Sequence, residues 1–141
     1  VTVFIPPNIM WVDQRGGLTR EALAVLSSIT NAAPTQWVAD TLTASDALYY
    51  TVPADKTGEI TAASAVNTSA GDILINVNIV PASASPSASN LVVSNLVVSV
   101  GGSVSLSSLV GQAVPPGASI YANSDTVAAC VLTISGIERA Q

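Results

Sequence analysis

The stretch Ile73-Leu74-Ile75-Asn76-Val77-Asn78-Ile79-Val80 decides the fold. Ile73, Ile75, Val77 and Ile79 alternate with Leu74, Asn76, Asn78 and Val80, the period-two pattern of a strand with one buried face. The odd-numbered face is assigned to the inside. Upstream, residues 67–72 form a polar loop, and residues 59–66 form a strand entered through the turn Asp55-Lys56-Thr57-Gly58. A further strand over residues 48–52 stops at Pro53. Downstream, residues 82–90 make a Ser/Ala/Pro loop at the exposed tip of a hairpin. Strand character resumes over residues 91–100, Gly101-Gly102 turns the chain, and residues 103–106 follow. Pro115-Pro116-Gly117 makes a tight turn into residues 118–122, and residues 127–137 close the sheet with Cys130, Leu132 and Ile134 on one face. About seven or eight short strands divided by turn chemistry predict an all-β, antiparallel β-sandwich of jelly-roll type. No helix is placed or long enough for a βαβ crossover, so a parallel α/β fold is set aside.

Ahead of this domain, assigned to residues 47–141, residues 1–46 read as an anchoring arm and one short helix. Val1-Thr2-Val3-Phe4-Ile5-Pro6-Pro7 has no basic region and two early prolines, so it reads as an extended arm and not as an export signal. The arm continues through Asn8-Ile9-Met10-Trp11-Val12-Asp13 to a Gly16-Gly17 break. Over residues 18–29, Thr19 caps a helix, Glu21 complements its dipole, and Ala22, Val25, Leu26 and Ile29 repeat at helical spacing. Leu18 and Leu23 can form a hydrophobic staple. A helix of about three turns is marginal alone, so its apolar stripe must be covered by the domain or by a neighbouring chain. Phe4, Ile5, Met10, Trp11, Leu23 and Leu26 are the candidate partner-docking residues. Trp11 reads either as an anchor for a partner's pocket or as packing on its own domain.

Charge is scarce. The 141 residues include nine carboxylates, four cations (Arg15, Arg20, Lys56, Arg139) and no histidine. Charged residues make up 9%, where an ordinary domain carries roughly 25%. Lacking histidine, the chain cannot build a Ser-His-Asp or Cys-His site. A Ser-Lys site would have to use Lys56, which reads as a solvated turn charge. Asp40 with Asp46, or Asp13 with Glu21, would be needed for two-carboxylate glycoside chemistry; loop solubility and capping explain them more simply. Asn67, Asp72 and Asp125 are oxygen ligands for calcium or, on the better reading, Asx-turn residues. Gly16-Gly17 and Gly101-Gly102 lack the setting of a phosphate loop. The sequence therefore assigns no catalytic residue, cofactor or metal, and no enzyme activity. A net charge of -5 and four scattered cations speak against nucleic acid, and no apolar run approaches a membrane span. Cys130 is alone, so no intrachain disulfide forms. Among the aromatics, Tyr49 and Tyr50 point to opposite faces of a strand, so at most one joins a sugar-binding platform; Trp37 and Tyr121 are the other candidates, with packing as the simpler role.

A resemblance adds to this reading. Tyr50-Thr51-Val52-Pro53-Ala54-Asp55-Lys56-Thr57, Asn67-Thr68-Ser69, Ile79-Val80-Pro81, Leu109-Val110-Gly111-Gln112 with Pro116-Gly117, and Ser135-Gly136-Ile137-Glu138 together resemble small β-sandwich virion proteins of tailed bacteriophages. Trp11-Val12-Asp13-Gln14 with Gly17-Leu18-Thr19-Arg20-Glu21 is similar to a leader of some phage tail-associated proteins. The resemblance implies a non-enzymatic virion structural protein, assembled in the host cytoplasm and associated with tail or fibre attachment. Its arm would dock on other virion proteins of the tail, portal adaptor or capsid. It implies a homo-oligomer, with a trimer preferred. A capsid decoration protein and a carbohydrate- or host-surface-binding module are the alternatives.

Overall fold

The computed structural model describes residues 33–141. The arm, the helix over residues 18–29 and the docking candidates Phe4, Ile5, Met10, Trp11, Leu23 and Leu26 lie outside the described residues. Nine strands follow one another: β1 (Thr35–Thr41), β2 (Ala47–Thr51), β3 (Lys56–Asn67), β4 (Ile73–Val80), β5 (Leu91–Val98), β6 (Ser103–Ser105), β7 (Ala113–Val114), β8 (Ser119–Ser124) and β9 (Cys130–Ala140). Among the described residues the only helical element is a 3-10 turn at Ala88–Asn90. Every strand pairing is antiparallel.

One sheet runs β1-β9-β3-β6, with β7 also paired to β3, and the other runs β2-β8-β4-β5. β6 lies against Ser64, Ala65 and Val66, and β7 against Gly58 and Glu59, so the two short strands share one position beside β3. Counted in that way, strands from the two ends of the chain interleave in both sheets. This is the strand order of a jelly roll. The alternation in β4 works as the sequence predicts: Ile73, Ile75 and Val77 are buried between the sheets, and half-buried Ile79 packs against the same core. Beside them in the same sheet are Ile120 and Ala122 of β8, and facing them from the other sheet are Ile60 and Ala65 of β3 and Leu132 and Ile134 of β9, all at 0% exposure. Each Val, Leu or Ile side chain so buried contributes roughly 1.5–3 kcal/mol relative to exposure.

Three features depart from the expectations above. β1 lies ahead of the boundary expected at residue 47, yet it pairs with β9 from Thr35 opposite Gly136 to Thr41 opposite Val131. The compact unit accordingly runs Pro34–Gln141. A bulge between Gln36 and Val38 breaks the period of β1 and turns two neighbours, Trp37 and Val38, inward. Second, the turn expected at residues 55–58 comes earlier. The Lys56 amide donates to the Pro53 carbonyl at 3.1 Å, and Lys56, Thr57 and Gly58 already belong to β3. Gly58 is required there for space: an added Cβ would lie 2.8 Å from Trp37 Cη2 and 2.9 Å from Val52 Cγ2. Third, the even face of β4 is not open throughout, since Asn78 and Val80 are buried as well. The Pro115-Pro116-Gly117 turn forms as expected, with Ala118 N donating to Pro115 O at 3.0 Å and Gly117 at φ +71. Pro at the second position and a left-handed Gly at the third make it a type II turn.

Candidate functional site

Among the described residues, Lys56, Glu138, Tyr50 and Trp37 join in one cluster that ties β1, β2, β3 and β9 together, while Asp13 and Glu21 lie outside the described residues. Trp37 stacks on Tyr50 with ring centroids 4.9 Å apart and planes 7° from parallel. The Tyr50 hydroxyl donates to Glu138 Oε1, and Lys56 Nζ donates to the other carboxylate oxygen at 3.0 Å. Burial, and secondarily the Glu138 carboxylate, push the Tyr50 hydroxyl up to about 12. The Tyr50 hydrogen bond holds Glu138 below its ordinary range, and Lys56 adds to this against the opposing effect of burial. Lys56 therefore serves a carboxylate rather than a serine. Tyr49 also packs against the core, and its hydroxyl accepts from Thr43 N at 3.1 Å and donates to Thr41 O at 3.2 Å. Neither Tyr49, Tyr50 nor Trp37 contributes to an exposed platform.

The carboxylates and amides considered for calcium fasten turns. Asp72 Oδ1 accepts from Val100 N at 2.9 Å, and Asp125 Oδ1 accepts from Leu74 N at 3.0 Å. Buried Asn67 donates to Gly71 O at 2.7 Å and to Val98 O at 2.9 Å, and its Oδ1 accepts from Ser69 N at 2.8 Å. Such satisfied polar groups specify loop geometry. Asp40 and Asp46 do not share a partner: Asp40 accepts from Thr41 N, while Asp46 accepts from Asn123. Among the described residues no three His, Cys, Asp or Glu side chains gather as a metal site. Cys130 is buried, and that burial raises its thiol pKa.

A different constellation appears on the outer face of the β2-β8-β4-β5 sheet. Asn76 and Asn123 lie directly opposite each other on β4 and β8. Asn123 Nδ2 donates to Asp46 Oδ1 at 2.5 Å, Asn76 Nδ2 donates to Asn123 Oδ1 at 3.0 Å, and Asn95 N donates to Asn76 Oδ1 at 2.7 Å. The carboxylate thus sets the direction of a hydrogen-bonded chain that crosses the sheet, each amide polarising the next. At its far end β5 bulges, because Ser94 and Asn95 together oppose Asn76, and Asn95 takes a left-handed φ of 46. The bulge presents Ser94 and Asn95 to solvent.

The loop over residues 82–90 forms a wall beside this chain. Asn78, only 3% exposed, donates to Asn90 Oδ1 at 2.7 Å and to Ser87 O at 2.9 Å. Asn90 in turn donates to Ser85 O at 2.9 Å, so the loop is braced internally and tied to the sheet. Between wall and chain lies a cavity of about 360 Å³ lined by Asp46, Asn76, Asn78, Ser87, Ser94, Asn95 and Asn123, with Pro86, Ala88 and Leu91. Tyr121 is the cross-strand neighbour of Asn78 on β4 and of Leu48 on β2. Leu48 is 54% exposed, which places an aromatic and an aliphatic side chain on the same outer face. A second cavity of about 360 Å³ lies on the other sheet, lined by Thr61, Ala62, Ser64, Ser105, Thr133, Ser135 and Val110. Among the described residues it offers side-chain hydroxyls and methyl groups but no side-chain amide or carboxylate.

Of the residues singled out in the sequence, the structure brings Asp46 and Tyr121 to the amide-lined face and assigns Trp37, Tyr49 and Tyr50 to packing. Asn76, Asn78, Asn95 and Asn123 were legible only as polar punctuation between apolar positions. No protein-family profile, curated protein or solved structure matches the chain.

Proposed function

We propose that this chain is a non-enzymatic structural protein of a tailed-phage virion, associated with tail or fibre attachment, with its N-terminal segment docking on neighbouring virion proteins. The observation that carries this reading is the jelly-roll strand order, β1-β9-β3-β6/β7 against β2-β8-β4-β5. That architecture recurs in capsid and lectin domains, and it supports the reading as an analogy of fold, which by itself does not fix a function. The segments that carry the phage resemblance supply a second support. Gly111 N donates to Ile60 O at 2.8 Å and Ile60 N to Gln112 O at 3.1 Å, joining the segment at residues 109–112 to β3. Gly136 leaves room for Trp37, Glu138 ties Tyr50 to Lys56, and Asn67 holds the loop after β3. The resembling residues therefore coincide with those that close and brace the sandwich.

Immunogold electron microscopy tests the proposal, using antibody raised against the full chain on particles purified from the culture that produces it. Label confined to the tail or fibre region is the expected result. Label over the whole head would replace this reading with capsid decoration, and absence of label from every particle fraction would overturn the virion assignment. Light scattering of the purified chain should return a trimer mass.

A further inference from the structure

We infer that the amide-lined groove on the β2-β8-β4-β5 face binds a neutral sugar, taken up as a mono- or disaccharide unit of a glycan. The inference is independent of the virion assignment, because it rests on the groove alone. Its chemistry favours a hydroxyl-rich ligand. Among the described residues, the chain from Asp46 to Asn95 uses one carboxylate oxygen and one N–H of each of Asn123 and Asn76. This leaves the second Asp46 oxygen as an acceptor and one N–H on each of those amides as donors. The Asn95 carboxamide and the Ser94 hydroxyl add both kinds at the bulge. Adjacent sugar hydroxyls, each able to donate and accept, complement such an alternating set.

The groove is also built rather than incidental. Asn78 is buried and spends both N–H groups on the wall, while Asp46 fixes the orientation of Asn123 and, through it, of Asn76. The donors and acceptors are consequently set before a ligand arrives, which lowers the ordering cost of binding. A pyranose ring has an apolar C–H face as well as a polar edge, and Tyr121 beside Leu48 supplies an apolar surface adjoining the polar chain. The cavity of about 360 Å³ sits near the small end of the ~300–1,000 Å³ range of small-molecule sites, matching a short sugar unit. Charge selects within the class. Among the described residues Asp46 is the sole ionisable side chain lining the groove, and the described cations Lys56 and Arg139 are ion-paired to Glu138 and Glu59. Acidic sugars would meet an uncompensated carboxylate, whereas neutral hexoses and N-acetylhexosamines would not.

The test is a titration of the ¹⁵N-labelled full chain, followed by NMR, with glucose, galactose, mannose, N-acetylglucosamine, lactose and maltose. N-acetylneuraminic acid, glucuronic acid and calcium chloride form separate arms. At least one neutral sugar should give saturable shifts in the side-chain NH₂ groups of Asn76, Asn95 and Asn123 and in the backbone amide of Tyr121. The acidic sugars should bind it at least about tenfold more weakly than the best neutral sugar. Asp46→Asn and Asn95→Gly should each weaken that sugar at least about tenfold, as expected for losing hydrogen bonds that include one to a charged group. Asn95→Gly retains the left-handed backbone, and spectral dispersion in the same experiment reports whether either variant is folded. Shifts absent from the groove for every neutral sugar, unchanged affinity in both folded variants, or shifts of the same amides by calcium chloride alone would overturn the inference.

Discussion

Gly136→Ala isolates the contact that seals one end of the sandwich. An added Cβ at this position would stand 2.3, 2.4 and 2.6 Å from Cη2, Cζ2 and Cζ3 of Trp37, where carbon atoms prefer roughly 3.5–4.0 Å. The deficit is about an ångström or more on each of three ring atoms, and the indole cannot readily move away. Tyr50 stacks on it at 4.9 Å, Gly58 approaches closely enough that a Cβ there would also clash, and Trp37 itself is 8% exposed. Overpacking costs ~1–3 kcal/mol, and this geometry belongs at the top of that range. Reduced freedom of the unfolded chain offsets ~0.4–1 kcal/mol. The net loss is therefore about 2 kcal/mol, a substantial part of the ~5–15 kcal/mol that holds a domain folded. Urea unfolding of the full chain, monitored by far-UV circular dichroism, measures it directly. Gly71→Ala is the control, because nothing lies within 4 Å of its added Cβ; it should be neutral or slightly stabilising. In a Trp37→Leu background the Gly136→Ala penalty should shrink to within ~0.5 kcal/mol of zero, exposing the coupling between the two sites. A Gly136→Ala protein within ~0.5 kcal/mol of the parent, or an equal loss at Gly71, would refute the packing account.

Ionisation and backbone strain in the same sandwich give two further expected outcomes. Glu138 has a folded-state pKa below its ordinary 4.5, so its contribution is present above that value and is lost as pH falls through the lowered one. Tyr50 is raised from 10.0 to about 12, so its contribution is present below 10 and disappears as pH rises toward 12. Urea midpoints across both limbs should consequently fall at each extreme, and Glu138→Gln should flatten the acid limb; an unchanged acid slope would remove Glu138 as its source. Ala128→Gly addresses the backbone, because Ala128 takes φ 56, a conformation costing ~1–2 kcal/mol for a residue with a Cβ. Relief of that strain, less ~0.4–1 kcal/mol of added unfolded-state freedom, predicts a gain of up to about 1.6 kcal/mol in the same unfolding assay.

How far the fold was legible depends on how local its determinants are. β4 announces itself because its buried face and alternation coincide over Ile73, Ile75 and Val77, and Pro115-Pro116-Gly117 is read correctly because two neighbours fix the type II geometry. The β1 strand is obscured by its bulge: Trp37 and Val38 both enter the core, and an edge strand with two adjacent buried residues has no period to detect. Gly58 misled for a related reason. Following Asp55-Lys56-Thr57, a glycine reads as turn chemistry, yet its role is set by an indole contributed from a distant strand.

The groove depends on relations that no local window contains. Asn76 and Asn123 are 47 positions apart, and Asn123 and Asp46 are 77 apart. They meet only because β8 is inserted between β2 and β4 and because the register places Asn76 opposite Asn123. A slip of one residue in that pairing would turn the amides to the other face and break the chain. The jelly-roll crossing of distant strands is thus what makes the site, while the apolar residues beside the amides set the register. Ile75 lies opposite Ser124 and Val77 opposite Ala122, on either side of the asparagine pair, so burying these inward residues is the act that aligns the outward polar ones. Core and candidate site are consequently written in alternate positions of the same two strands. A core substitution that shifts the β4-β8 register would remove the groove without altering any residue that lines it.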